Sequence, residues 1–357
     1  MDLEHITSWL KLNQQPYPLV NEFLKNISSF DVQQDIVSLI AHWLKKHQAT
    51  INTAQLKNSL SWLERPNHFL ISFLQFPQQL KTINNPPALL FLSGNPALLY
   101  QPQLAIVGSR KPTSGGCENT RYFATVLARS GLVILSGMAA GIDGLAHQAA
   151  IEAEGLTSAV LGCGHNTCYP KMHQNLFNNI KEKGLIISEF SPDTPVRPYQ
   201  FPQRNRIISG LSQGVLVVEA AIKSGSLISC RLAADQGRDV FAIPGDITNP
   251  LTKGCHHLIR NGACLVESPE QILEELNVEL PLEQQSGQSL DLFRKNTAMS
   301  EKESQVFNCI NRHPTSINNL QNRTQFEISE LLSLLFTLEM KNKVNSSADG
   351  YYKKEHR

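Results

Sequence analysis

The sequence has almost no net charge: 32 Lys and Arg against 31 Asp and Glu leave a formal +1. That balance excludes a bulk attraction to polyanions, so any contact with nucleic acid must come from local clusters of cations. No apolar run approaches the roughly 18 residues of a membrane span. The opening stretch, MDLEHITSWLKLNQQP, lacks the basic start and apolar core of an export signal. A cytoplasmic protein with no membrane partner is expected. The seven cysteines are odd in number and scattered, which fits reduced thiols better than a disulfide framework. The G-x-G-x-x-G fingerprint with a later ribose-binding acid is missing, which disfavours a dinucleotide; no cofactor is expected. What is present is an ordinary globular composition, 41% hydrophobic and 18% charged over 357 residues, long enough for a full α/β core plus small modules.

Three zones follow one another. Residues 1–85 carry helical patterns such as IVSLIAHWLKK with much Asn and Gln and little Gly. Residues 86–278 alternate short β-branched runs (LAIVGS, LVILSG, TSAVLGCG, LIISE, GVLVVEA, DVFAIPG, ACLVES) with helical stretches that close on or near glycine. Continuous apolar strands alternating with helices predict a parallel, doubly wound sheet covered on both faces. Residues 279–298 are polar and aperiodic, as a linker is. Residues 299–357 predict three helices and a hairpin, VNSSADGYYKK, the outline of a winged helix.

In an open α/β sheet the ligand lies beyond the strand ends. Gly108-Ser109-Arg110-Lys111 and the segment from Ser136 to Asp143 are small-residue turns entering helices. Such turns can aim backbone N–H groups at an anion, although the same residues also serve a plain strand-to-helix turn. The segment VRPYQFPQRNRIISGLSQG interleaves Arg197, Arg204 and Arg206 with Tyr199 and Phe201 and has no acid, a composition suited to single-stranded nucleic acid. The stretch from Glu219 to Ser226 repeats the turn pattern with Lys223 at its edge. Pro244-Gly245-Asp246 reads equally as a plain turn.

Taken in order, GSRKPTSGG, SGMAAGIDGLAH, the YPK at Tyr169–Lys171, FPQRNRIISGLS, VVEAAIKSGSLIS, GRDVFAIPGD and GCHHLIRNGA resemble the DprA/Smf family of DNA-processing proteins, over about Pro86 to Ser268. The resemblance implies a Rossmann-like domain that binds single-stranded DNA and forms a homodimer, behind a degenerate sterile-alpha-motif-like region. It implies a non-enzymatic protein that protects incoming DNA and loads the RecA recombinase in natural transformation and recombination. Carried over motif by motif, Gly108, Ser109, Arg110, Lys171, Phe201, Arg204, Asn205 and Arg206 would line the DNA pocket. Lys223, Ser224, Gly225 and Ser226 would support it through their backbone.

An uncovered sheet edge invites pairing, so the apolar face of HHLIRNG and the strand ACLV, with His256, Ile259 and Leu265, form the expected dimer surface. The alternative function is a Rossmann-like nucleotide-binding or nucleotide-hydrolysing enzyme of the lysine-decarboxylase-like group. Its acid and base candidates, Asp143, His147 and Glu219, have structural readings as a helix-start acid and a hydrogen-bonded core histidine, and the PGGxGTxxE signature is missing. No metal is expected, because Cys163, His165 and Cys168, and Cys255 with His256 and His257, lack the ligand spacing of a zinc site.

Overall fold

A computed structural model of the chain describes residues 3–27, 36–278, 301–311, 315–324, 326–340, 343–347 and 350–353. The segment expected to be a linker lies outside them. The chain forms two compact units, residues 1–279 and 280–357.

The first unit opens with four helices, α1 (Leu3–Asn13), α2 (Tyr17–Ile27), α3 (Ile36–Lys46) and α4 (Thr53–Leu63). Phe23 joins the first three by an edge contact with Trp9, 6.5 Å between centroids, and a tilted one with Trp43, 5.6 Å. Asn52 caps α4 by accepting the Gln55 N–H at 3.0 Å. There follow β1 (His68–Ser72), a short α5 (Gln78–Lys81), β2 (Leu89–Gly94) and β3 (Gln103–Val107). Helices and strands then alternate: α6 (Ser114–Arg129), β4 (Val133–Ser136), α7 (Ile142–Glu152), β5 (Thr157–Val160), α8 (Gln174–Lys183) and β6 (Leu185–Ser188). Next come α9 (Gln200–Leu211), β7 (Gly214–Val217), α10 (Ser226–Asp235), β8 (Asp239–Ala242), α11 (Lys253–Arg260), β9 (Cys264–Leu265) and α12 (Pro269–Glu275).

The strands form one sheet in the order β1-β2-β6-β5-β4-β3-β7-β8-β9. From β3 to β9 every pairing is parallel. The central strands are buried along their whole length, which is why they read as unbroken apolar runs. The chain winds from β3 toward β4 on one side and resumes on the other side with β7, so the order reverses between these neighbours. The crevice beyond their carboxyl ends is where such folds bind ligands.

Two features differ from the sequence expectation. The sheet is mixed, since β1 pairs antiparallel with β2, and β2 antiparallel with β6. The division at residue 85/86 therefore falls between two strands of one sheet. The N-terminal helices also share its apolar core: Trp62 on α4 is fully buried 5.7 Å from the Phe91 ring of β2. The five residues HFLIS are too short to separate from a helical pattern by periodicity.

The second unit holds α13 (Glu301–Cys309), α14 (Ile317–Thr324), α15 (Ile328–Met340) and the hairpin β10 (Val344–Ser347)–β11 (Gly350–Lys353). Thr315 bridges Tyr351, and Val306, Leu320, Leu335 and Val344 are fully buried in a core of its own. Among the described residues no helix is long and apolar enough to cross a membrane.

Candidate nucleic-acid interface

At the end of β3 the turn Gly108-Ser109-Arg110 is tied to its neighbours. The Ser226 hydroxyl donates to the Gly108 carbonyl at 2.8 Å, and the Ile142 N–H donates to that of Ser109 at 3.1 Å. Gly141 makes this approach possible. Its φ of +80° suits glycine, and a Cβ there would overlap the Ser109 carbonyl.

Two carboxylates of the chain itself sit beside these turns. Glu219, just past β7, accepts from the Thr113 N–H at 2.9 Å and the Thr113 hydroxyl at 2.5 Å, at the start of α6. Asp143 accepts from the N–H groups of Gly137 at 3.1 Å and Ala139 at 3.4 Å. Burial pushes the Asp143 carboxyl up, while the Arg204 guanidinium and those N–H groups oppose the rise. A carboxylate on a helix N-terminus satisfies the same dipole as a bound phosphate. In the turn after β4, the Gly137 and Ala139 N–H groups expected to face a phosphate are thus taken by Asp143, while Glu219 caps α6 at Thr113.

A cavity of about 570 Å³ opens beside them. Its walls bring together Gly108, Arg110, Phe201, Arg204 and Asn205, with Ser224, Gly225 and Ser226 opposite. Phe201, Arg204, Asn205 and Ile208 all line it, and their spacing of three, four and seven places them on one face of α9. The Phe201 ring lies 5.6 Å from the Tyr169 ring, and the Arg110 guanidinium is 5.9 Å from the Phe201 centroid, within cation–π range. Arg204 is buried and donates to the carbonyls of Gly137, at 2.6 Å, and Val160. It holds the ends of β4 and β5 together beneath the cavity and faces the charge of Asp143.

The other expected residues lie outside this lining. The Ser109 hydroxyl accepts the Lys111 N–H within its own turn. Lys171 is exposed at the start of a 3₁₀ turn, and Lys223 lines a groove between α10 and α11. Arg206 is a correction: two residues after Arg204, it falls on the opposite face of α9. There it forms a buried bidentate pair with Glu189 at 2.6 and 3.0 Å and donates to the Asn85 and Gln203 carbonyls. Tyr17 donates its hydroxyl to Glu189 at 2.6 Å, and its ring lies 4.9 Å from the guanidinium. Burial pushes Glu189 up to about 8 and Arg206 down to about 9, so each charge depends on the other. The helical period of α9 carries the signal that separates Arg206 from the cavity. Nothing in the sequence pattern identifies Glu189 or Tyr17 as its partners.

The enzymatic candidates are occupied in the same way. His147 is fully buried, 2.6 Å from the Thr157 hydroxyl. That hydroxyl donates to the Ile134 carbonyl, so the neutral imidazole must carry its proton on Nδ1. Burial, reinforced by His173 and Arg204, pulls its pKa from 6.5 to about 3. Below pH 6.5 the unfolded chain therefore binds a proton that the folded chain refuses, and stability falls as pH falls, by about 1.4 kcal/mol per unit from this group. His147→Gln should lose that component of the slope between pH 6.5 and 5, measured by urea unfolding at each pH. An unchanged slope would mean that His147 titrates normally. Among the described residues no cluster of three or more His, Cys, Asp or Glu side chains is placed to hold a metal ion.

The doubly wound sheet, with its strand-end cavity lined by arginine, an aromatic ring and a carboxamide, and the separate three-helix-and-hairpin unit define a Rossmann-like protein with a winged helix. The chain belongs to the DprA/Smf family of DNA-processing proteins. The family model for DNA recombination-mediator protein A matches residues 68–277, and that for the DprA winged helix domain matches 294–350. The chain is 44% identical to Protein Smf of Escherichia coli K12 over 277 residues, 71% of this chain and 74% of that one. It is 46% identical to the DNA processing protein DprA of Streptococcus pneumoniae over 200 residues, 56% and 71% of the two chains. The X-ray structure of S. pneumoniae DprA superposes with a TM-score of 0.66 at 37% identity, covering 76% of this chain and 97% of that one. A Helicobacter pylori DNA processing protein A, whose structure concerns a unique single-stranded DNA binding mode, gives 0.55 at 29% identity over 60% and 97%.

Proposed function

We propose that this protein binds single-stranded DNA across the strand ends of its sheet, shields incoming strands and loads the RecA recombinase onto them in natural transformation and recombination, without catalysing a reaction. The observation that carries this reading is the pairing of Arg110 with Phe201 over an open cavity, beside which the Gly137 and Ala139 N–H groups are already taken by Asp143. A mononucleotide clamp needs such N–H groups for its phosphate. A strand laid across the surface needs only a cation for a phosphate and a ring for a base. The H. pylori relative's single-stranded DNA binding mode supports the same reading. The proposed organisation keeps the DNA site in the first unit, with 279–298 as a linker and the winged helix beyond it.

Residues 1–278 alone should therefore shift single-stranded oligonucleotides in preference to duplexes of equal length, with no competition from nucleoside monophosphates. A folded truncation that no longer shifts single strands places part of the site in the winged helix. Displacement by a monophosphate favours the nucleotide-binding alternative.

The homodimer is proposed to form along β9, the edge of the sheet, where Leu265 is 44% exposed. Ile259 is partly buried against the core, and His256 lies 3.1 Å from the Gly245 carbonyl. Leu265 is therefore the residue to test without disturbing the fold. Leu265→Glu should sediment as a monomer while retaining contact with short oligonucleotides. An unchanged mass removes this edge as the interface.

A further inference from the structure

The segment 194–199, which runs from β6 toward α9, is a wall with two faces. Val196 and Pro198 line the cavity described above. Thr194, Pro195, Arg197 and Tyr199 line a second cleft of about 450 Å³ on its other side. The far wall of that cleft is helix α4 of the N-terminal region, which presents Asn52, Gln55 and Asn58. α4 is docked there by hydrogen bonds from Gln55 to the Ser191 hydroxyl at 2.6 Å and from Asn58 to Asp193 at 3.0 Å.

We propose that this cleft is a second subsite for the same DNA strand, making the N-terminal helices part of the DNA-binding surface. Its chemistry is that of a nucleotide site. Tyr199 is 54% exposed and offers a ring for stacking. Arg197 is exposed, its guanidinium bonded to the Tyr199 hydroxyl at 3.3 Å, and it has no acidic partner among the described residues. Carboxamides on the facing helix can donate to and accept from base edges. The volume falls in the range of small-ligand sites. Asp193 is the one acid in the cleft, and carboxamide donors of Asn58 and Asn166 hold its two oxygens, at 3.0 and 2.6 Å. The two cavities share one wall, so a strand leaving the Phe201 cavity over Pro198 meets Tyr199 next.

The inference rests on the proposed single-stranded DNA function, and the test separates the two. Binding of oligonucleotides of about 5 and about 12 nucleotides, lengths within the usual span of such sites, is measured by fluorescence anisotropy at several salt concentrations. Two variants alter charge in the cleft. Arg197→Ala removes the cation. Ala54→Glu adds an acid at an exposed position in the first turn of α4, where helix formation favours it.

Each variant should weaken the longer strand roughly fivefold, the size of one partly screened charge contact. Both should leave the short strand unchanged, and Ala54→Lys should strengthen the longer strand only. Arg197→Ala should also lower the slope of log K against log[salt] by about 0.7 for the longer strand. Wild-type affinity of all variants for the longer strand, or equal weakening of both lengths, would overturn the subsite. Failure of the unaltered protein to bind either length would overturn the DNA reading itself.

Discussion

Glu189→Ala should lower the free energy of unfolding by about 3–5 kcal/mol in urea titrations, because it leaves the buried Arg206 guanidinium without its counter-charge. Arg206→Ala should cost less, since the orphaned carboxyl takes up a proton more readily at neutral pH than the orphaned guanidinium gives one up. Burial already holds Glu189 near 8, well above its ordinary 4.5. Between these values the folded Arg206→Ala variant binds a proton that the unfolded chain does not. Its stability should therefore rise as pH falls from 8 toward 4.5, recovering part of the loss. Tyr17→Phe removes one hydroxyl donor from the pair and should cost about 1 kcal/mol. Equal damage from Glu189→Ala and Arg206→Ala at every pH would show that the pair acts only through packing.

Phe201→Ala should lower single-stranded DNA affinity by about 1–3 kcal/mol, the usual value of one base–aromatic stack, with little change in salt dependence. Arg110→Ala should act in a different way. It should weaken all sequences alike, because phosphates carry no sequence information, and flatten the salt slope by about 0.7. The guanidinium lies over the ring it helps to position, so the double variant should lose less than the sum of the two. Titrations across salt concentrations check all three variants. An Arg110→Ala protein that binds oligonucleotides normally but loses a nucleoside monophosphate would reverse the functional assignment.

These two sites differ in how far the sequence reveals them. The cavity face of α9 is written in its spacing: Phe201, Arg204, Asn205 and Ile208 recur at the helical period, and the glycine turns after β3, β4 and β7 mark the strand ends. The same period sets Arg206 apart, yet an acid-free run of arginines reads as one cationic surface when only composition is weighed. Glu219 stands 106 residues from Thr113, and nothing local to either residue points to the other. The strand β1 was hidden for a related reason: the five residues HFLIS become a strand only because β2 lies alongside to take their hydrogen bonds.

What the sequence determined by itself is the alternation of buried strands and helices, the turns that close them and the residues available at the strand ends, because hydrophobic period and glycine placement act over a few residues. Tertiary structure alone decided which N–H groups an internal carboxylate takes, which arginine remains available to a ligand, and which helices wall the site. A buried charge must be satisfied by whatever element the fold brings within about 3 Å of it, and that element can come from anywhere in the chain.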